Sequence, residues 1–587
     1  MEKVAERFTI KKLGIEKPGI KKSGTKKPGI EKRKESFAKA TRSSKISRGL
    51  NTLILGSSSR KRSVAYLVIL GLLAYVRFVF LGADFPIDLG GYGMAYTDEG
   101  WWSRNAVAWV REGSWYIDDG YNTITNLPVL PIIQIVWFKL FGVGLVSARA
   151  ISVVCSLLVS GGVYLLARRE LSVSFAWIAP FIVLTDYSVF VYSRLALLEM
   201  PMLVFLLASL WLATAIQKGV AFNAIYCVVL SGLCFTLAIL TKTTALFALP
   251  VIAIALFFQM SSSGEQSSQE TAIRQNVVAL NPAAFRLRLL LIWLLAVGVS
   301  LGICYLILNQ AGDVASQTYF SNHNVAAKVP QGLFNFIKGP ARVIKRSFTL
   351  YPLLFPGLLG AIALLAKAGK TKSSPLFRIV VLWTGAALCA FSLSDFAAPR
   401  YFLVLTVPIA LAIPLWLESV WHRSKSEKVS LHRSLHRSLR RPLLGTLVAL
   451  AFSASTALSL FNVGSYLWRP QFTLIETANT INKYVASEES RSNTLLGHFA
   501  DTIALATDDI EAVNDRMGFQ PLDDRLKTFD PGYYVSIGPI GSLGKKIDLE
   551  IQTTLENNYQ LVLLNKFELF QKQDFGQPVF FYRLDPL

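Results

Sequence analysis

Apolar residues fall along this chain in long blocks rather than at scattered positions. The stretch from Val64 to Leu81 reads VAYLVILGLLAYVRFVFL, about the length needed to cross a hydrocarbon core of ~30 Å. Comparable blocks recur at 146–167, 173–191, 198–216, 221–240, 244–260, 288–308, 349–367, 377–394, 402–420 and 443–463. The pattern therefore predicts a polytopic α-helical membrane protein with about eleven transmembrane helices. The first block follows some sixty mostly polar residues and has no small-residue cleavage site after it, which argues against a signal peptide.

Three interruptions differ from short turns. Residues 83–145 lack a continuous span but hold two helix-like stretches, Asp98–Glu112 and Pro128–Phe141. The first puts Trp102 and Trp109 on one helical face with Arg104 and Arg111 opposite, a pattern suited to a helix lying in the membrane interface. The second has Pro128 and Pro131 near its start, where proline is tolerated. Residues 261–287 form a polar loop, and 309–348 a second large loop that carries Tyr319 and His323. After about 465 the runs shorten. NTLLGHFADTIALA and YQLVLLNKFELF alternate with polar turns, which predicts a small mixed α/β domain over 465–587.

Charge sets the expected orientation. Of a formal charge of +22, about +14 lies in residues 1–63, where 19 Lys/Arg face 5 Glu. This tail repeats KKLGIEKPGI as KKSGTKKPGI and cannot build a core, so disorder is expected. A second basic run, HRSKSEKVSLHRSLHRSLRR, spans His422 to Arg441. Basic loops beside spans are retained in the cytoplasm. With the N-terminus inside, eleven crossings put this run, Arg168-Arg169, Lys218 and the 368–376 loop inside as well, and the C-terminus outside. The loops 83–145 and 309–348 then lie outside. The basic segments face anionic lipid in this arrangement, and no nucleic-acid partner is needed to explain them. The five cysteines all fall inside apolar blocks, so neither a disulfide framework nor a cysteine metal site is expected.

Charges in or beside spans are costly and mark candidate sites. Four clusters fall on the external side: Thr97-Asp98-Glu99, Arg194 with Glu199, Lys242, and Arg400-Tyr401. Their convergence on one face suggests a shared site. Each also has a structural reading. Asp98 and Glu99 would serve as first-turn acids with Thr97 as cap, Arg194 and Glu199 as an interhelical ion pair, and Lys242 and Arg400 as interface anchors. No P-loop, dinucleotide loop or metalloprotease motif occurs, and no ligand cluster for a metal is visible.

The ordered series TDEGWWSRNAVAWVREGSW, LPVLPIIQIVWFKLFGVGLVSARAISV, VFVYSRLALLEMPMLVFLLASLWLA, SGLCFTLAILTKTTALFALP and APRYFLVLTVPIALAIP resembles glycosyltransferase family 39. That family includes protein O-mannosyltransferases and lipid A aminoarabinose transferases of the GT-C superfamily. The resemblance covers roughly 64–420. It implies a GT-C glycosyltransferase domain over 64–464 and transfer of a hexosyl or pentosyl unit from a polyprenyl-phosphate sugar. The acceptor would be a hydroxyl of a protein, lipid or glycan, and the setting the external face of a bacterial plasma membrane. Carried over by position, Asp98 is the implied catalytic base and Glu99 its companion. Arg104, Arg194, Glu199, Lys242, Arg400 and Tyr401 are the implied donor-phosphate and substrate-binding group; no cofactor is evidently required, and a divalent metal is left open without support from the sequence. Glu199 departs from the family pattern, which more often has Asp there, and residues 465–587 do not match the trefoil domains of eukaryotic relatives. A polyprenyl-linked sugar flippase or secondary transporter is the alternative, since it too would bind amphiphiles through intramembrane charges.

Overall fold

The computed structural model describes residues 59–86, 94–117, 122–215, 221–258, 282–311, 333–367, 374–393, 398–427, 440–516, 520–538, 546–569 and 577–587. The tail up to residue 58, most of the 261–287 loop, the 312–332 part of the second large loop with Tyr319 and His323, and the middle of the 422–441 run lie outside them. The chain divides into two compact units, Met1–Val68 and Ile69–Leu587. In the first, the described residues are the start of helix α1 (Ser59–Val76).

The second unit is mostly helical. In chain order its long helices are α2 (Met94–Glu112), α3 (Val129–Phe141), α4 (Leu145–Ala167), α5 (Ile178–Thr185), α6 (Glu199–Ala215), α7 (Ala221–Thr241), α8 (Leu249–Phe258), α9 (Pro282–Ala311), α10 (Leu333–Leu350), α11 (Leu354–Ala366), α12 (Pro375–Ser392), α13 (Thr406–Glu427) and α14 (Arg440–Trp468). Every apolar block of the sequence carries helix. Among the described residues, six stretches are long and apolar enough to cross a membrane, or seven if the bent pair α10–α11 counts as one. The outward faces of α9 and α14 stay apolar and open, with Leu295 66 % and Phe461 69 % exposed. Such surface meets lipid or a partner, and together with the long apolar spans it makes the chain an integral membrane protein.

Three expectations need correction. The first block does not run as helix to Leu81: α1 ends at Val76 and the chain turns through 77–83, with Phe80 at φ 52. Arg77 is the cause. Its guanidinium is wholly buried and donates to the carbonyls of Val183 and Leu184 and to Ser193 Oγ, which a straight helix would not allow. The 173–191 block is also not one helix. It breaks at Asp186, whose carboxylate accepts from Val189 N at 2.8 Å and starts a new turn, Tyr187–Tyr192. Finally, the 309–348 segment is not loop throughout. Residues from Leu333 form α10, bent by 114° from α11.

The C-terminal region continues as α15 (Thr473–Ser487), β1 (Thr494–Leu496), α16 (Ala500–Ala506), β2 (Glu511–Val513), α17 (Leu522–Phe529), β3 (Tyr533–Ile537), α18 (Lys546–Asn558), β4 (Tyr559–Leu569) and β5 (Gln577–Pro586). The sheet order is β2-β1-β3-β5-β4. Strands β1, β2 and β3 run parallel, while β5 is antiparallel to β3 and to β4. Alternate strand residues face opposite sides. Leu495, Tyr533, Val535 and Phe581 join Leu474, Ile481 and Ile503 of α15 and α16 in the main core. Leu496, Val513, Tyr534 and Leu584 pack with Leu526 of α17 and Leu555 of α18 on the other face.

At least two contacts fasten this region to the helices. The Asp84 carboxylate accepts from Thr473 N, Thr473 Oγ1 and Leu474 N, supplying the missing cap of α15 from a distant segment. Helix α16 packs along α2, where Gly100 leaves room for bare backbone. A Cβ on Gly100 would stand 2.2 Å from Asp501 C and from Thr502 N. Gly100→Val is therefore expected to lower the thermal transition of the detergent-solubilised protein, by about 1–3 kcal/mol or more of stability, and to expose 490–516 to protease. Unaltered melting and digestion would remove this contact from the account.

Candidate active site

Side chains from four separate parts of the sequence meet beside α2. Asp98 Oδ2 lies 2.7 Å from Arg400 Nη2. Arg400 Nε lies 3.2 Å from Glu199 Oε1, and Lys242 Nζ reaches the same oxygen at 2.5 Å. The Tyr401 ring closes the group, its centroid 4.2 Å from Lys242 Nζ and 5.5 Å from the Arg400 guanidinium carbon. Each cation–π contact is worth ~0.5–2 kcal/mol according to how dry it is.

Local structure explains how each group is presented. Asp98 sits in the second turn of α2, which begins at Met94, so it is not a first-turn acid. Glu199 opens α6, where the positive end of the helix dipole favours its charge. Lys242 stands in extended conformation, φ −158, between the end of α7 and a 3-10 turn (Thr243–Ala248). Arg400 and Tyr401 belong to a second 3-10 turn, Pro399–Leu405, that leads into α13. Helix breaks thus present three of the cluster's side chains.

The cluster holds two carboxylates and two cations, so its charges balance. Access separates them: the Asp98 side chain is 16 % exposed and that of Glu199 only 3 %. Asp98 is the more exposed carboxylate, and Glu199 the one in contact with both cations. Burial pushes the Asp98 carboxyl above the usual aspartate range. The charge of Arg400 opposes that rise, Glu199 adds to it, and Lys242 and His498 oppose it further. A carboxyl shifted upward is a stronger base once ionised.

Other residues expected at the site go elsewhere. Glu99 is fully buried and faces away from Asp98. It takes a two-pronged hydrogen bond from Arg149, Nε to Oε1 at 2.8 Å and Nη2 to Oε2 at 2.7 Å, and Ala196 N donates to Oε1 at 2.8 Å. Arg149 Nη1 also donates to the carbonyls of Leu81 and Ala83. Glu99 is therefore a structural brace rather than a companion base. Arg104 Nε lies 3.4 Å from Asp501 Oδ1, and its Nη2 donates to Ala512 O, so it belongs to the seam with the C-terminal region. Arg194 does not pair with Glu199. It donates to the carbonyls of Arg77, Val79 and Phe80 and fixes the turn that follows α1. Arg149 carries the signal that singled out Arg194, a charge within an apolar block. His498 is legible only once the C-terminal region is seen against α2. Among the described residues, no group of three His, Cys, Asp or Glu could hold a metal ion.

Known proteins bear on this arrangement. Residues 126–280 match the family described as Dolichyl-phosphate-mannose-protein mannosyltransferase. The structure of ArnT from Cupriavidus metallidurans bound to undecaprenyl phosphate superposes with a TM-score of 0.52 at 14% identity, over 89% of this chain and 98% of that one. The chain shares the fold of that structure. The Archaeoglobus fulgidus oligosaccharyltransferase tethered to an acceptor peptide with an NVT sequon gives 0.50 at 13% identity, over 89% of this chain and 74% of that one. No curated protein matches the sequence.

The bracing role has a consequence that separates Glu99 from its neighbour. Glu99→Gln leaves Arg149 buried against a neutral amide, and breaking a buried pair costs about 3–5 kcal/mol. Its thermal transition should fall well below that of Asp98→Asn measured in the same detergent. Equal transitions for the two variants would contradict the assignment.

Proposed function

We propose that this GT-C protein moves a monosaccharide from a polyprenyl-phosphate carrier to an acceptor hydroxyl, with Asp98 as the base. One observation carries the reading: Asp98, Glu199, Lys242 and Arg400, up to some three hundred residues apart, form a single ion-pair network beside α2. A sugar phosphodiester already has a good leaving group, so activation by a nucleotide is unnecessary. The acceptor hydroxyl attacks the anomeric carbon and gives its proton to Asp98. The bond from that carbon to the phosphate oxygen breaks on the opposite side, with inversion. A positioned base of this kind contributes roughly 10²–10⁴ in rate. Negative charge then grows on the departing phosphate, where Lys242 and Arg400 stabilise it. Glu199 holds both cations in place before the substrate arrives. Tyr401 packs against both and restricts their motion. The match at 126–280 to a family named for a dolichyl-phosphate-mannose donor supports this class of donor.

The test uses a labelled polyprenyl-phosphate sugar in detergent micelles. Asp98→Asn should lose roughly 10²-fold or more of label release to water or acceptor while still binding the lipid. Near-normal release would take Asp98 out of the mechanism, and movement of intact donor between leaflets without cleavage would favour a flippase. The same assay gives the pH profile. Asp98 must be ionised to act, so release should fall as pH drops through a value above the ~3.9 of a free aspartate.

The expected setting is a bacterial plasma membrane with the basic N-terminal tail in the cytoplasm. Basic runs in the tail and near 422–441 support that orientation. Reporter fusions in 83–145 and after residue 587 should both read external, and a cytoplasmic reading at either would reverse the site's face.

A further inference from the structure

Helix α10 presents three different surfaces around its axis. At about 100° per residue, Gly339, Val343 and Ser347 fall on one arc, and all three are buried. The helix packs against α12 and touches the Pro399–Leu405 turn that carries Arg400. Gly339 fixes its setting: a Cβ there would stand 2.4 Å from Ser392 O, at the end of α12. Lys338, Arg342, Lys345 and Arg346 fall on a second arc, about 100° wide, and Lys338, Lys345 and Arg346 are exposed. Ala341, Ile344 and Phe348 occupy the third, where Ile344 is 43% and Phe348 41% exposed.

Neither water nor a protein core suits all three arcs. An ordinary solvated face mixes acids with bases, yet no Asp or Glu occurs between Asp313 and Asp395. Beside the cations two large apolar side chains stay open, which is unfavourable in water. A helix with one basic and one apolar flank suits the boundary between headgroups and acyl chains, where lysine and arginine reach outward from an apolar bed. The bend agrees with this. Helix α11 packs along α13 and α14, and α10 is turned 114° from it, so α10 lies across the end of the bundle. That is the end at which Arg400 meets Asp98.

We propose that α10 docks on a headgroup layer of anionic phospholipid, with its basic arc on the phosphates and Ile344 and Phe348 among the upper acyl chains. The row from Lys338 to Arg346 runs about 12 Å along the axis. A single phosphate cannot span it, whereas neighbouring headgroups can, so the occupant is the lipid layer and not one carrier phosphate. Each basic residue near such a surface strengthens binding roughly fivefold. The surface is separate from the Asp98 network and stands without the transferase reading.

Photo-crosslinking of the full-length protein, reconstituted in phosphatidylcholine vesicles, tests the proposal. Phosphatidylglycerol and phosphatidylcholine, each with a diazirine in the headgroup, serve as trace probes, and crosslinked peptides are read by mass spectrometry. Peptides from 333–350 should take the phosphatidylglycerol probe roughly tenfold or more over the phosphatidylcholine probe. That preference should fall roughly fivefold in Lys345→Gln, and further when Lys338→Gln and Arg346→Gln are added. Labelling of the basic N-terminal tail should stay constant in these variants. Unlabelled phosphatidylglycerol should displace the probe, while equimolar polyprenyl phosphate or inorganic phosphate should not. The proposal is overturned by equal labelling from both probes, by no label in 333–350, by an unchanged preference in the triple variant, or by polyprenyl phosphate displacing the probe ahead of phosphatidylglycerol. Should the triple variant melt early, Lys345→Gln decides alone, because its side chain is exposed and an unchanged preference there sinks the idea.

Discussion

Three consecutive residues of α2 bind the molecule together by pointing in three directions. Successive helix positions are 100° apart, so Asp98, Glu99 and Gly100 face different neighbours. Glu99 is locked by Arg149 in a fully buried, two-pronged pair. Gly100 lets the backbone of α16 come into direct contact. Between these constraints α2 has little freedom to rotate or slide, and Asp98 is fixed against Arg400. A buried pair of this kind adds little net stability over an apolar substitute, but breaking it is costly. Its value here is positional: the brace sets the azimuth of the carboxylate beside it.

The same economy appears in the arginines that surround the turn after α1. Arg77, Arg149 and Arg194 donate to backbone carbonyls at 183–184, 81–83 and 77–80 respectively. Helix breaks at membrane depth leave carbonyls that lipid cannot satisfy. Arginine, with five donors in a rigid fork, satisfies several at once. The charges within apolar blocks therefore divide into two kinds. Arg77 and Arg194 repair broken backbone, as Arg149 does while it also braces Glu99, whereas Lys242 and Arg400 meet at Glu199 and Arg400 also reaches the accessible Asp98. Sequence spacing does not distinguish the two kinds, because both appear as single cations in apolar text.

The helical part and the C-terminal region are also tied to each other. The cap of α15 comes from Asp84, and the C-terminal region rests on Gly100 and Arg104. The C-terminal sheet is thus packed against α2 and not an appended module.

The sequence alone determined the membrane character, the helical blocks and the α/β character after about 465, because hydrophobic length and period are properties of neighbouring residues. It also marked Asp98, Glu199, Lys242, Arg400 and Tyr401, since charged or aromatic groups beside spans stand out against apolar text. Only the tertiary structure assigned Glu99, Arg104 and Arg194 to bracing, broke the 173–191 block at Asp186, and brought Asp501 against Gly100 of α2. Those outcomes turn on which partner a side chain meets across hundreds of residues. Local pattern carries no information about that choice, because it is made by packing.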